Sequence, residues 1–382
     1  MNNEIVPAEL DYRELIATYG SPLLVLDQAA VRKQYRSLVN ALPGVRMHYA
    51  LKPLPHSAVV ATLKAEGCGF DLATNGEVDV MLENQITPDD CIHTHPIKRD
   101  GDIRYALEYG CKVFVFDNPV ELDKFIPYQD KAQLLLRVSF PNPETKVDLS
   151  KKFGCTPEAA LPLLRKAKSM GLNVIGLSFH VGSQVPNARR HVEAITSCNQ
   201  IIRDAAAEGI TLQVLDIGGG FPVNYGADGT DFNIYDFCAP IREALSQTPE
   251  GIRKLAEPGR FICAPCMTSV ASVMGKAERF GRTWYYLDDG LYGSYSGQLF
   301  DHINYPKSAP YAVGEAKPAV LAGPTCDSID VIADDIDLPD MNVGDVIIGK
   351  MMGAYTWASA TEFNFFRKAS ILVVDSQEGS GK

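Results

Sequence analysis

Tyr49-Ala50-Leu51-Lys52-Pro53 puts one amine at the end of a strand-like run, residues 45–51. Pro53 stops the run because it has no N–H to give to a ladder. A lysine at a buried strand end costs desolvation unless something uses it. Burial lowers an amine's pKa, and a neutral amine condenses with aldehydes. On this segment alone, a surface lysine closing a strand reads the same way. Other strand-like runs end in groups that bear on the choice: Asp71, Arg137, His180, Gly218-Gly219-Gly220, Glu257 and Arg260.

The triple glycine follows Val214-Leu215-Asp216-Ile217. Three bare backbones at a strand end let N–H groups close on an anion such as phosphate; the alternative is a flexible turn. No Gly-Lys-Ser/Thr follows, so this is not a Walker loop, and the dinucleotide fingerprint is missing too. In Ala256-Glu257-Pro258-Gly259-Arg260, Gly259 permits close backbone approach and Arg260 offers a fork of donors to the same phosphate. A carboxylate at Glu257 would hold a protonated ring nitrogen and keep a cofactor electron-poor. In Ser178-Phe179-His180-Val181-Gly182-Ser183-Gln184, His180 could stack on a flat ring and Ser183 could bond a phosphate. A lone histidine serves structure more often than catalysis. His93-Thr94-His95 lacks further ligands at metal-site spacing, and Cys263-Ala264-Pro265-Cys266 lacks a second pair or a redox fold. Neither is assigned a role, and no metal is expected. A lysine, a phosphate cradle, an acid for a ring nitrogen and a ring-stacking histidine together describe pyridoxal 5'-phosphate.

The elements that must position these groups follow a rhythm. Strand-like runs at 45–51, 69–73, 91–94, 113–117, 133–139, 174–181, 213–217 and 254–257 alternate with helical or loop stretches, helices among them at 55–66, 156–170 and 187–208. Eight such repeats over some two hundred residues predict an α/β fold with a (β/α)8 barrel, whose active groups come from the C-terminal ends of the strands. A doubly wound sheet gives the same alternation; the count of eight favours the barrel. Past Cys263 the runs at 267–276, 283–288, 319–322, 345–349 and 370–375 are broken by Gly and Pro with little helix, which predicts a mostly antiparallel β domain. The expected organisation is 1–27 joining the β domain through a strand at 23–26, 28–263 as the cofactor-binding barrel, and 264–382 as the β domain. Residues 11–20 read as a short helix, and the tail 377–382 as frayed.

With 382 residues, 46% hydrophobic and 22% charged, the chain is globular and long enough for two domains. Its net charge of −11, from 36 Lys+Arg against 47 Asp+Glu, argues against nucleic acid and acidic membranes and fits a cationic small substrate. The start lacks a basic region followed by an apolar core, and no apolar run reaches the roughly 18 residues of a membrane span. Nine scattered cysteines point to reduced thiols and a cytoplasmic protein.

Taken in order, Tyr49-Ala50-Leu51-Lys52, Gly69-Phe70-Asp71, Phe179-His180-Val181-Gly182-Ser183, Asp216-Ile217-Gly218-Gly219-Gly220-Phe221-Pro222, Glu257-Pro258-Gly259-Arg260, Gly323-Pro324-Thr325-Cys326-Asp327 and Gly353-Ala354-Tyr355-Thr356 resemble the fold-type III pyridoxal-phosphate decarboxylases. These are the ornithine, arginine and diaminopimelate decarboxylases of the alanine racemase type of fold, and the resemblance covers nearly the whole chain. It implies that Lys52 binds the cofactor's aldehyde, Glu257 the ring nitrogen and His180 the ring face. It implies that Ser183, Gly218, Gly219, Gly220, Gly259, Arg260 and Tyr355 surround the phosphate, with Asp71 and Arg137 ordering the cofactor near the lysine. Cys326 resembles the acid that protonates the substrate carbon after CO2 leaves. Cys326 and Asp327 are expected to reach the partner's site in a homodimer, with Lys152 and Asp330 as a pair bridging the subunits.

Within the family, Asp301 and Asp327 supply two carboxylates suited to a substrate's distal ammonium and repellent to a distal carboxylate. That, with Asp327 where diaminopimelate decarboxylases tend to carry Glu, disfavours diaminopimelate. Biosynthetic arginine decarboxylases of this fold are much longer, with insertions missing here. The expected reaction is L-ornithine to putrescine, a step of polyamine biosynthesis, with L-lysine to cadaverine beside it, since one methylene is worth only about 1–3 kcal/mol in a pocket. Diaminopimelate or arginine decarboxylation, an amino-acid racemase, and a barrel-only cofactor-binding homeostasis protein are the rival readings. The chain departs from the family at Pro53-Leu54-Pro55 and at Gln184, where a glycine or small residue is usual.

Overall fold

The computed structural model describes residues 10–141, 151–226 and 232–376. The tail at 377–382, read above as frayed, lies outside them. Two units emerge: Met1–Lys33, Asn224–Asp231 and Ile262–Lys382 form one, Gln34–Val223 and Phe232–Phe261 the other. The second contains a closed barrel of eight parallel strands: β2 (Val45–Ala50), β3 (Gly69–Leu72), β4 (Cys91–His93), β5 (Val113–Phe116), β6 (Gln133–Val138), β7 (Val174–Phe179), β8 (Val214–Asp216) and β9 (Arg253–Ala256), with β9 pairing back onto β2. Each of the eight barrel strands read from the sequence is one of these, ending one or two residues earlier.

Alternation explains what the barrel holds. Val115, Leu135, Ile175, Val214 and Leu255 pack together as an aliphatic layer. Two residues further along their strands, Leu135 and Val214 give way to Arg137 and Asp216, which a period of two keeps on the same inner face. An apolar plug thus sits beneath a polar layer at the C-terminal ends. The surrounding helices start on ordinary signals. Thr74 caps Asn75–Glu83 through the N–H of Glu77, and Asn118 caps Pro119–Phe125 through the N–H of Glu121.

The other unit is built on β1 (Leu23–Asp27), β10 (Met267–Arg279), β11 (Arg282–Leu287), β12 (Lys307–Ser308), β13 (Lys317–Ala322), β14 (Val331–Leu338), β15 (Val346–Gly349) and β16 (Ser370–Val374). The order is β12-β15-β10-β11-β13-β14, with β1 between β10 and β16. Most pairs are antiparallel; β1 with β16 and β11 with β13 are parallel. Sequence reading missed β12 and β14. The former has two residues; the latter, Val-Ile-Ala-Asp-Asp-Ile-Asp-Leu, is an edge strand whose acids break the apolar pattern. No helix among the described residues is long and apolar enough to cross a membrane.

Candidate active site

Lys52 lies just past β2, in a turn tied on both flanks. Ala50 N–H donates to Pro258 O at 3.1 Å, and Leu51 N–H to Asp71 O at 3.3 Å. Gly259 lets the two turns meet, since a Cβ there would come within 2.7 Å of Pro53 Cγ. Burial of the lysine, one of the two readings left open, does not occur. Ala50 and Leu51 are buried, but the chain turns outward at Lys52, whose side chain is 45% exposed. Its Nζ stands 3.6 Å from Asp71 Oδ2, so a neighbouring carboxylate, more than desolvation, defines its surroundings.

Beside it three acids are buried: Asp71, Asp216 and Glu257. Burial, with Glu257 nearby, pushes Asp71 up to about 7 against the opposing pull of Lys52 and a hydrogen bond from Thr94. Burial pushes Asp216 to about 6, and burial together with Asp216 pushes Glu257 well above the carboxylate range. Arg137 faces the same acids; burial lowers its pKa, and their charges counteract this.

His180 follows β7. Its Nδ1 accepts the N–H of Gly182 at 3.0 Å, so in the neutral ring the proton sits on Nε2. Burial holds the pKa of His180 far below its usual value, which makes it a flat neutral ring. Around it the glycines are sterically required. A Cβ on Gly218 would lie 2.1 Å from Phe179 O, one on Gly219 2.7 Å from Glu257 O, and one on Gly220 2.6 Å from Gly182 O. Buried His191 braces this loop through Nε2, 3.0 Å from Gly219 O. Arg260 directs Nη2 and Nε to Ser183 Oγ at 3.1 and 3.3 Å.

Gln184, the unusual residue, is bonded as a strand would be. Its Oε1 accepts Val223 N–H at 2.8 Å and its Nε2 donates to Val223 O at 2.9 Å, which locks the loop after β7 to the loop after β8. Its φ of 53° is the strained left-handed region that a glycine would occupy freely, and the amide clamp compensates.

The remaining predicted residues belong to the other unit. Cys326 is exposed, with its N–H donating to Asn364 Oδ1 at 3.0 Å. Asp327 accepts from the Tyr292 hydroxyl and from Ile329 N–H at 3.2 Å, and the Tyr292 bond holds its carboxyl below the usual range. Tyr292 itself stacks on Phe363 at 4.4 Å. Asp301 ends the short helix Gly297–Phe300, and Tyr355 has a φ of 55°. Asp330, expected from resemblance to bridge subunits, is 3% exposed and committed within its own chain. Oδ1 accepts Leu291 N–H at 2.7 Å, and Oδ2 accepts Thr325 N–H at 3.1 Å and Oγ1 at 2.7 Å. Lys152 is exposed and lies over Phe153.

Sequence reasoning gave no role to Thr94, Asp216 or His191. Thr94 and Asp216 were visible as strand-end polar residues; His191, inside a helix, left no signal. His93 packs on Phe114 outside the barrel lumen, and among the described residues no group of three or more His, Cys, Asp or Glu is arranged to hold a metal ion.

The barrel set suits a phosphorylated, cationic aromatic ring. A protonatable acid, Glu257, sits buried, its pKa raised by burial and by Asp216. A glycine loop whose three Cβ positions are blocked lies next to Ser183 and a buried arginine. A neutral imidazole and the Lys52 amine beside Asp71 complete it. Pyridoxal phosphate fits these residues.

The family model for the pyridoxal binding domain of pyridoxal-dependent decarboxylases matches residues 28–264. The lysine/ornithine decarboxylase of Selenomonas ruminantium is 34% identical over 370 residues, 97% of this chain and 94% of that one. The lysine/ornithine decarboxylase of Vibrio vulnificus, solved in complex with cadaverine, is 54% identical at a TM-score of 0.92, covering 97% of this chain and all of that one. Its complex with putrescine matches at a TM-score of 0.91.

Proposed function

Since the chain belongs to the pyridoxal-dependent decarboxylases, we propose that it converts L-ornithine to putrescine and CO2 and accepts L-lysine, giving cadaverine. The observation that carries the substrate choice is the 54% identity to an enzyme solved with each of those two diamines.

The roles proposed for the chain's residues follow from their chemistry. Lys52 holds the cofactor's aldehyde carbon, and Asp71 keeps the amine in place from 3.6 Å. Glu257 holds the ring nitrogen. The neutral ring of His180 covers one face, where an imidazolium would repel a cationic ring. Ser183, Arg260 and the N–H groups around Gly218, Gly219, Gly220 and Gly259 hold the phosphate; Tyr355 is assigned to it from the sequence resemblance. When bound, the cofactor supplies a protonated ring that takes up the electron pair left on the α-carbon as the carboxyl group departs. Cys326 Sγ then delivers a proton to that carbon. Asp301 and Asp327 bind the distal ammonium, whose charge-assisted bonds the ionised Asp327 is suited to make.

The test is to load the protein with pyridoxal phosphate, supply L-ornithine, L-lysine, L-arginine and diaminopimelate separately, and measure CO2 and amines. Putrescine and cadaverine are expected. Agmatine or lysine as the main product would overturn the substrate assignment.

We further propose a homodimer in which Cys326 and Asp327 serve the partner's site. Lys52→Ala and Cys326→Ala proteins, each nearly inactive, should recover about a quarter of wild-type activity when mixed and exchanged, because half the dimers then hold one intact site. No recovery after confirmed exchange would reject the shared site.

A further inference from the structure

Asp216 is fully buried, and nothing in the roles above uses it. Its Oδ1 accepts the N–H of Gly218 at 2.9 Å. Among the described residues, its Oδ2 has no hydrogen-bond partner. Beside it lies Glu257, two residues past the Leu255 that pairs with Asp216 across β8 and β9, and each acid acts on the other's proton. Two carboxylates cannot satisfy each other, so one of the two must carry a proton. The environments decide which. Asp216 has the Gly218 N–H to stabilise its charge, and the interaction between the two acids lowers Asp216 and raises Glu257, so Glu257 holds the proton.

Ser178 stands at the same level. It pairs with Arg137 across β6 and β7 and with Asp216 across β7 and β8. Paired residues on neighbouring strands face the same side, so Ser178 shares the inner face with both. It is buried, and its Oγ has no partner among the described residues. A buried hydroxyl left so costs about 1–3 kcal/mol unless a water completes it. The strand neighbour with acceptor capacity is Asp216.

We propose that Asp216 and Ser178 are positioning residues that set how firmly Glu257 binds a proton, and so how strongly it holds the cofactor's ring nitrogen. The Ser178 hydroxyl, through one water, stabilises the charge on Asp216. Charged Asp216 makes Glu257 the stronger base, and the Ser178 hydroxyl tempers this by supporting the state in which both carboxyls are charged. When the cofactor enters, Glu257 gives up its proton: to solvent if the ring nitrogen is already protonated, to that nitrogen if it is not. In either case one N–H then points at Glu257, and no other bond changes. The other charged groups facing the pair are Lys52 beyond β2, Asp71 on β3 and Arg137 on β6, with neutral His180 beyond β7; Asp117 beyond β5 acts on Arg137.

The inference rests on the assignment of Glu257 to the ring nitrogen, and the experiment separates the two. Wild type, Asp216→Asn, Ser178→Ala and Glu257→Gln are freed of cofactor, and their Kd for pyridoxal 5'-phosphate is measured by equilibrium dialysis from pH 5 to 9 without substrate. Lys52 is common to all four, so its own pH dependence cancels in the comparison. Wild-type affinity should fall with pH through one midpoint as Glu257 retains its proton. Asp216→Asn should move that midpoint down by about one pH unit or more, because a neutral amide donating to Glu257 favours its charged form. Ser178→Ala should move it up by a smaller amount, because Asp216 loses support for its charge. Affinity weakened by the same factor at every pH, with the midpoint unmoved in both variants, would show a merely structural role and overturn the inference. Should Asp216→Asn fail to fold, Ser178→Ala carries the test. If Glu257→Gln keeps the wild-type midpoint, the ring-nitrogen assignment itself fails. If Glu257→Gln abolishes the midpoint while the other two leave it in place, the inference alone fails.

Discussion

Replacing Asp71 by Asn should change how the cofactor-free protein's stability depends on pH, and the size follows from the site. Asp71 is buried, and its carboxyl titrates at about 7 when folded against an ordinary value of 3.8. A carboxyl raised on folding contributes stability that is complete below its unfolded value. That contribution drains away as pH rises, because the unfolded chain ionises first, and the loss ends at the folded value. Each pH unit in that window is worth about 1.4 kcal/mol, so from pH 5 to the folded value near 7 the loss is roughly 3 kcal/mol. The attraction of Lys52 is already included in that balance and loses to desolvation. Asparagine mimics the protonated acid and keeps an oxygen for the Thr94 hydroxyl. It should therefore be spared this loss: between pH 5 and 8, the variant's stability relative to wild type should rise by roughly 3 kcal/mol. Urea unfolding of cofactor-free protein, at one fixed protein concentration so that assembly does not vary, measures this. Parallel pH profiles for the two proteins would refute the reasoning and show that Lys52, 3.6 Å away, keeps Asp71 ionised.

Gly219→Ala should weaken cofactor binding by roughly tenfold to a hundredfold, since its Cβ would come 2.7 Å from Glu257 O and overpacking costs about 1–3 kcal/mol; dialysis showing wild-type affinity would contradict the fit. Asp330→Ala strands the N–H groups of Leu291 and Thr325 and the Thr325 hydroxyl, and should lower stability by about 3–5 kcal/mol independently of protein concentration. A loss that vanishes on concentrating the protein would instead make Asp330 a subunit contact. Asp327→Asn should lower kcat/KM for ornithine, and an unchanged value would mean that the distal amine is read elsewhere.

Eight strand-like runs ending in polar groups were legible because a parallel barrel buries its strands as apolar runs and places chemistry at their C-terminal ends. Lys52, Asp71, Arg137, His180, the glycine triplet, Glu257 and Arg260 could therefore be listed from spacing. β14 was not legible: an edge strand needs one buried face only, and its Asp334, Asp335 and Asp337 hide the pattern. What the residue order determined, then, was which side chains the strand ends carry. Their charge states were decided by tertiary structure. For Lys52 the sequence left burial and the surface both open, and the structure makes it half-exposed, 3.6 Å from an acid. Asp216 and Glu257 are 41 residues apart, and only pairing of β8 with β9 brings two acids together so that they must share a proton. Desolvation and charge coupling depend on which atoms lie within a few ångströms, and chain order holds no record of that.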